Sequence, residues 1–282
     1  MTHTRSRRQF VKGALGVSML TLLPASLKAG PAGRKPVGLQ LYTLREMMKV
    51  SVPATLKLVA AVGYSDLEFA GYFGHSAKDI RSLLDDEGLS APAAHVPLDT
   101  LATKLDVVIE DALTVGHKYI VMPYLTDEQR GSGITPYYRL AANLNRWGEQ
   151  LKQAGLQLAY HNHDFEFATL DGEQPFQVLL KETDANLMKM ELDLYWTAKA
   201  KQDPLALFAA HPGRFPLWHV KDMASDGGFA DVGSGNIDFA PIFARASQAG
   251  LQYPFVERDH TDDKLTTIQR SYKALSSLVG NR

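Results

Sequence analysis

The sequence predicts a (β/α)8 TIM barrel, eight parallel strands alternating with helices, and three observations carry that prediction. First, a phrase of apolar helix, glycine and strand recurs at Val62-Gly63-Tyr64, Glu87-Gly88-Leu89, Val115-Gly116-His117, Ala154-Gly155-Leu156 and Ala249-Gly250-Leu251. Glycine is the expected residue just past a helix C-terminus, where the backbone turns left-handed. Second, four short apolar runs each end in an imidazole or a carboxylate. Leu156-Gln157-Leu158-Ala159-Tyr160 leads into His161-Asn162-His163-Asp164, and Leu187-Met188-Lys189-Met190 into Glu191-Leu192-Asp193. Phe215-Pro216-Leu217-Trp218 leads into His219-Val220-Lys221-Asp222, and Tyr253-Pro254-Phe255-Val256 into Glu257-Arg258-Asp259. Third, roughly 250 residues remain once a distinct N-terminal section is set aside, a length typical of one such barrel.

That N-terminal section, residues 1–29, holds five basic residues (Arg5, Arg7, Arg8, Lys12 and Lys28) and no acidic one. Ser6-Arg7-Arg8-Gln9-Phe10-Val11-Lys12 has the form of a twin-arginine export signal. A weakly apolar stretch follows from Gly13 to Leu23, with a cleavage site expected at Leu27-Lys28-Ala29. The stretch is too short and too rich in glycine for a spanning helix. The expectation is a periplasmic protein whose barrel occupies residues 36–280, with retention of the leader as a membrane anchor the alternative. The twin-arginine route is generally used by proteins that fold before crossing, often with a cofactor, which fits a metal loaded in the cytoplasm.

Along the rest of the chain, candidate strands run from Val37 to Leu41, Asp66 to Phe69, Ala91 to His95 and Tyr119 to Met122, followed by the four apolar runs. Short apolar runs bounded by Gly and Pro read as buried parallel strands. Between them, Leu56 to Val62, Ile80 to Leu84 and Val107 to Val115 space their apolar residues three and four apart, as helices do. No dinucleotide glycine fingerprint follows an early strand, which weakens the competing open, doubly wound sheet. Asp222 to Asp238, rich in Gly, Ser and Asp, reads as a loop over the barrel mouth. Its Gly233-Ser234-Gly235 opens no helix, so a phosphate cradle is not expected.

Composition narrows the function. The whole chain carries a charge of −1; without the five leader residues, 25 basic residues face 31 acidic ones, about −6. An acidic protein is a poor partner for nucleic acid. There are no cysteines, so stability in an oxidising compartment must come from the core rather than from disulfides.

The chemistry lies at the strand ends, where α/β barrels place their active sites. His161, Asp193, His219 and Glu257 can converge there on one divalent metal; the plainer alternative is that each is an ordinary polar strand end. Two imidazoles and two carboxylates suit Mn²⁺, Co²⁺, Fe²⁺ or Zn²⁺ better than Ca²⁺ or Mg²⁺. Such an ion polarises a sugar carbonyl, acidifies the adjacent C–H and stabilises an enediolate. A general base is also needed, and Glu257, His163 and Glu166 are the candidates. Lys221, Glu68, His95 and Trp196 are candidate substrate contacts, with pairing to Asp222 the alternative for Lys221. Tyr42 and Tyr72 are expected in the core, with walls for a sugar ring as their other reading. Arg258 reads as a structural ion-pair partner, and Glu191 as a carboxylate deeper in the barrel. His75, His117, His211 and His260 read as surface or helix-end residues.

The chain resembles the sugar-phosphate isomerase/epimerase family with the xylose-isomerase-like TIM barrel, over roughly Pro36 to Leu278. The resemblance rests on the runs Tyr160-His161-Asn162-His163-Asp164-Phe165-Glu166-Phe167, Glu191-Leu192-Asp193-Leu194-Tyr195-Trp196 and Pro212-Gly213-Arg214-Phe215-Pro216-Leu217-Trp218-His219-Val220-Lys221-Asp222. It implies one divalent metal, with Asp193, His219 and Glu257 matching the family's ligands and Glu257 the first choice of base. At the fifth strand the family's 3-epimerases use a glutamate, where this chain offers His161, with Glu166 the alternative slightly downstream. The departure puts two-sided epimerisation in doubt. An isomerase or epimerase is the activity the resemblance implies. The alternative is a lyase acting on 3-keto-glycosides or keto-cyclitols, which needs only one base. A non-catalytic periplasmic sugar-binding subunit and a phosphodiester-cleaving nuclease are further alternatives; the acidic charge counts against the nuclease. The expected partners are an unphosphorylated small carbohydrate and, at the protein level, a second copy of the chain or an oxidoreductase.

Overall fold

The structure, a computed structural model, describes Met1 and residues 37–280, so the export signal expected at 1–29 lies outside the described residues apart from Met1. Eight parallel strands close into a barrel, in agreement with the sequence prediction. In chain order they are β1 (Gly38–Gln40), β2 (Asp66–Phe69), β3 (Ser90–His95), β4 (Tyr119–Met122), β5 (Gln157–His161), β6 (Met188–Asp193) and β7 (Leu217–Val220), with β10 (Tyr253–Val256) the eighth. Two further strands, β8 (Asp222–Met223) and β9 (Phe229–Ala230), form a small antiparallel hairpin between β7 and β10. Closure brings β1 against β10, where Gly38 pairs with Phe255. A Cβ on Gly38 would stand 2.5 Å from the Phe255 ring and 2.6 Å from the Pro254 carbonyl oxygen. Only glycine lets the first and last strands meet at this distance.

The helices are bounded by the signals that predict them. Ala77–Glu87 starts at Ser76, whose hydroxyl accepts from the Asp79 amide at 3.2 Å while Asp79 returns a bond to the Ser76 amide at 3.1 Å. It ends at Gly88, in the left-handed region at φ 66°. The other four glycines of the recurring phrase, Gly63, Gly116, Gly155 and Gly250, also have positive φ.

Strand parity then sorts the side chains into two cores. Leu158, Tyr160, Leu192, Trp218, Val220 and Val256 face outward into the large core between sheet and helices. Ala93, Tyr119, Val121, Ala159, Leu217 and Phe255 face inward and fill the lower lumen. The same parity makes His161, Glu191, Asp193, His219 and Glu257 point inward above that apolar plug, and five buried polar side chains in one lumen require mutual satisfaction. No helix among the described residues is long and apolar enough to cross a membrane.

Candidate active site and metal centre

Register brings the inward-facing residues together: His161 lies beside Glu191, Asp193 beside His219, and His219 beside Phe255, two residues before Glu257. The result is two stacked groups sharing one imidazole. In the outer group, ligand atoms of His161, Asp193, His219 and Glu257 all lie within 4.8 Å of one another. His219 Nδ1 is 2.9 Å from Glu257 Oε2 and 3.8 Å from Asp193 Oδ2, and His161 Nε2 is 4.0 Å from the same Asp193 oxygen. Lys221 Nζ closes this group from above, 2.7 Å from Glu257 Oε2 and 3.0 Å from both Asp193 Oδ2 and Asp259 Oδ1. The deeper group joins Glu68, His95, Glu191 and His219. There His219 Nε2 is 2.6 Å from Glu68 Oε2, and His95 Nε2 is 2.9 Å from Glu191 Oε2.

Burial acts on every one of these groups, and the charges around each decide which way it moves. Burial would raise the Glu257 carboxyl, but Lys221 and His219 outweigh it and hold the group well below the usual carboxylate range. Burial would lower Lys221 and His219, but facing carboxylates keep both raised: Asp193 and Glu257 for the lysine, Glu191 and Glu257 for the imidazole. Asp193 stays raised to about 6, because its burial exceeds the pull of Lys221 and His219. His161 and His163 go the other way. Burial, then the cationic neighbours, lowers both, His163 to about 3, so these rings are neutral.

The outer residues fit a divalent ion on their own chemistry. Asp193 Oδ2 and His219 Nδ1 are buried with no well-aligned hydrogen bond, and the donor set of two imidazoles and two carboxylates is one that zinc and its neighbours accept. Above them opens a cavity of about 550 Å³ whose polar lining includes His95, His161, His163, Lys221, Glu257 and Asp259. Tyr42 and Tyr124 stand on its rim, 43% and 44% exposed. Each has a guanidinium over its ring, Arg45 at 4.2 Å and Arg130 at 5.0 Å.

Residues 56–277 match the xylose isomerase-like TIM barrel family. The chain belongs to that family. An inosose dehydratase from Lacticaseibacillus casei is 25% identical over 171 residues, covering 54% of each chain, so the match spans about half the length of that relative. A solved structure described as a sugar phosphate isomerase/epimerase from Parabacteroides distasonis has 27% identity and a TM-score of 0.74, covering 90% of this chain and 98% of that one. The zinc-bound IOLI protein, 17% identical, shares the fold at a TM-score of 0.71 over 88% of this chain and 99% of its own.

Within the family's barrel, the residues singled out from sequence fall into distinct places. His161, Asp193, His219 and Glu257 converge, and His95, His163 and Lys221 line the cavity. Glu68 does not reach the cavity: it has no exposed surface and sits behind His95 and His219. Trp196 stands beside His163, ring centres 5.2 Å apart, with Lys221 Nζ 5.7 Å from its ring. Glu166 is in neither convergent group. The outward-facing Tyr160 hydroxyl donates to it at 2.7 Å and the His163 amide at 2.8 Å, so its carboxylate turns away from the lumen.

Three further expectations are corrected. Lys221 pairs with Asp193, Glu257 and Asp259 rather than with Asp222, which instead accepts the amides of Met223, Gly233, Gly235 and Ile237 and so ties the loop after β7 together. His117 is a buried residue: its Nδ1 meets the Ala91 carbonyl oxygen at 2.6 Å, its Nε2 the Tyr72 hydroxyl at 2.9 Å, and burial lowers it to about 4. Tyr42 is exposed at the cavity rim rather than in the core. Arg258 does form a structural pair, with Asp231 at 2.5 Å. Sequence reasoning gave no role to Gln40 or Asp259 and left Glu191 without a partner. The alternation Glu191-Leu192-Asp193 was the available signal for Glu191, since residues two apart on a strand face one way.

Proposed function

We propose that this chain is a lyase: it removes the proton next to the carbonyl of a keto-sugar or keto-cyclitol and expels the oxygen substituent one carbon further on. One observation carries the choice. Both carboxylates lining the cavity, Glu257 and Asp259, extend from the end of β10 and share Lys221, whereas the β5 wall offers only the imidazoles of His161 and His163. Removing a proton from one face of a carbon and returning it to the other takes two opposed acid–base groups, and elimination takes one base. Glu257, held ionised, accepts the proton; the C–H electron pair becomes the new C=C bond as the C–O bond breaks. Lys221, with donors directed at three carboxylates, is placed to hold the departing oxygen and give it a proton. His161, Asp193, His219 and Glu257 would hold a divalent metal, which when bound supplies Lewis-acid polarisation of the carbonyl. The dehydratase name of the Lacticaseibacillus casei relative is in line with this reading.

Isomerisation or epimerisation is the second reading. It shares the first proton transfer and is favoured by His163, a neutral base in the cavity on the β5 side. Proton NMR in D2O on metal-loaded protein separates the two, using a keto-cyclitol, a 3-keto-glucoside and free ketoses, with chelated enzyme and Glu257→Gln as controls. Loss of water or of the aglycone supports the lyase. Deuterium uptake with a new stereoisomer and no elimination would reject it in favour of the isomerase. Export to the periplasm belongs to the same proposal, and cell fractionation of the wild type beside an Arg7→Lys, Arg8→Lys variant tests it.

A further inference from the structure

We propose that Glu68, set in place by Gln40, is a positioning residue for the metal: it keeps a proton on His219 Nε2, so that Nδ1, which faces Asp193 and Glu257, is the nitrogen a divalent ion would take. The His219 ring, with no exposed surface, lies between the two stacked groups and turns one nitrogen to each. Nε2 is enclosed by carboxylate, with Glu68 Oε2 at 2.6 Å and Glu191 Oε2 at 3.2 Å. A lone pair aimed at the Glu68 carboxylate at 2.6 Å would be strongly repelled, so the proton belongs there. A ligating imidazole whose other nitrogen is bonded to a carboxylate is fixed in tautomer and in ring orientation.

Glu68 is itself held. Gln40, its neighbour across β1 and β2, donates from Nε2 to Glu68 Oε2 at 2.8 Å. The Gln40 amide cannot be reversed without loss, because its Oε1 accepts the Tyr42 amide at 2.9 Å. The chain Tyr42 amide, Gln40, Glu68, His219 therefore runs from a backbone group just past β1, through β2, to the candidate metal ligand on β7.

The deeper group has the residue types of a second metal site, and its hydrogen bonding says otherwise. Nitrogen and oxygen alternate around it: His219 to Glu68 at 2.6 Å, Glu68 to His95 at 3.3 Å, His95 to Glu191 at 2.9 Å, Glu191 to His219 at 3.2 Å. Each Nε2–H finds a carboxylate oxygen, so two protons link the four residues without an ion, while Glu68 Oε1 and Glu191 Oε1 are buried with no hydrogen bond. The proposal rests on the outer group being the metal site and predicts one ion per chain.

Zn²⁺ is the probe. In ¹⁵N-labelled, Zn²⁺-loaded protein the His219 side chain should show a protonated Nε2 and a metal-shifted Nδ1, with one zinc per chain by elemental analysis. Glu68→Gln should weaken Zn²⁺ binding about 10–100-fold in competition with a chromophoric chelator. An unprotonated Nε2 in the wild type would overturn the proposal whether or not the variant folds. So would two zinc ions per chain with one lost in Glu191→Gln, or unchanged affinity in Glu68→Gln. Asp193→Asn keeps this separate from its premise: loss of zinc there, with Glu68→Gln unaffected, sinks only the positioning role, whereas wild-type affinity in Asp193→Asn sinks the outer site itself.

Discussion

Glu257 and Glu166 are the same residue type with almost the same burial, 4% and 0% exposed, yet the barrel leaves them in opposite states. Glu257 faces Lys221 at 2.7 Å and the His219 ring at 2.9 Å, and these cations outweigh burial and keep it ionised. Glu166 is met by the Tyr160 hydroxyl and the His163 amide, and burial outweighs these bonds and the weak pull of Arg130 and pushes it up to about 7. A buried carboxylate is costly wherever it is. What separates the proposed base from this strut is the pair of cations beside it. Glu166 braces the turn after β5 through the His163 backbone, so its contribution to the site is the placement of the His163 ring.

The largest expected effect comes from removing one of those cations. Lys221→Met takes from Asp193, Glu257 and Asp259 the ammonium they share and leaves the His219 ring beside the first two, and breaking a buried pair from one side costs about 3–5 kcal/mol. Urea denaturation in chelator should show a loss of this size. A divalent metal, binding the same carboxylates, should recover more stability in the variant than in the wild type. Equal midpoints in chelator would mean that Lys221 does not offset the outer carboxylates, and the contrast with Glu166 would fall.

The same contrast explains what could be read from sequence. The eight strands, the glycines that end the helices and the four inward candidate ligands follow from local pattern: apolar runs, period-two alternation and polar strand ends. The apolar run at Leu187–Met190 stops three residues short of the end of β6, because Glu191 and Asp193 continue the strand while facing the polar level of the lumen. Their pairing could not be read, since it depends on which strands meet: Glu191 is answered by His95 from β3, Glu68 by Gln40 from β1 and His219 from β7. Glu166 looked like an alternative fifth-strand ligand because it lies slightly downstream of His161, where the strand could have ended. The deciding fact is that Tyr160 points outward and draws the carboxylate with it. His117 looked like a helix-end residue by position, and it is buried because Tyr72 and the Ala91 carbonyl close over it from β2 and β3.

A smaller effect, and a sharper one, tests Glu166 directly. Its carboxyl rises from 4.5 to about 7 in the folded chain, so folding favours the protonated form. That contribution is complete below the unfolded value and is lost as the pH rises through 7, amounting to about 3 kcal/mol over the window. Glu166→Gln removes the titration while leaving a polar group to meet Tyr160 and His163. Denaturation of the two proteins from pH 4.5 to 8 should show the variant gaining on the wild type as pH rises. Other raised carboxyls in the lumen, such as Glu191, act equally on both proteins and cancel in the difference. Parallel curves would show that Glu166 is ionised in the folded state and has a cation that its hydrogen bonds do not reveal.

The smallest effect isolates one bond of the strut. Tyr160→Phe deletes the hydroxyl that donates to Glu166 Oε1 at 2.7 Å and keeps the ring in the core outside the barrel. One buried hydrogen bond to a carboxyl is worth about 1–2 kcal/mol. Because that bond favours the ionised form, its loss should also move the Glu166 window to higher pH rather than flatten it. In the Glu166→Gln background the same substitution should cost less, since the charge it served is gone. Tyr160 faces away from the lumen, so turnover by the folded variant should stay within about twofold of wild type if the strut acts on stability alone. A tenfold fall in turnover at unchanged stability would instead mean that the brace sets the position of His163 closely enough to matter for chemistry, and the line drawn between strut and reactive group would have to move.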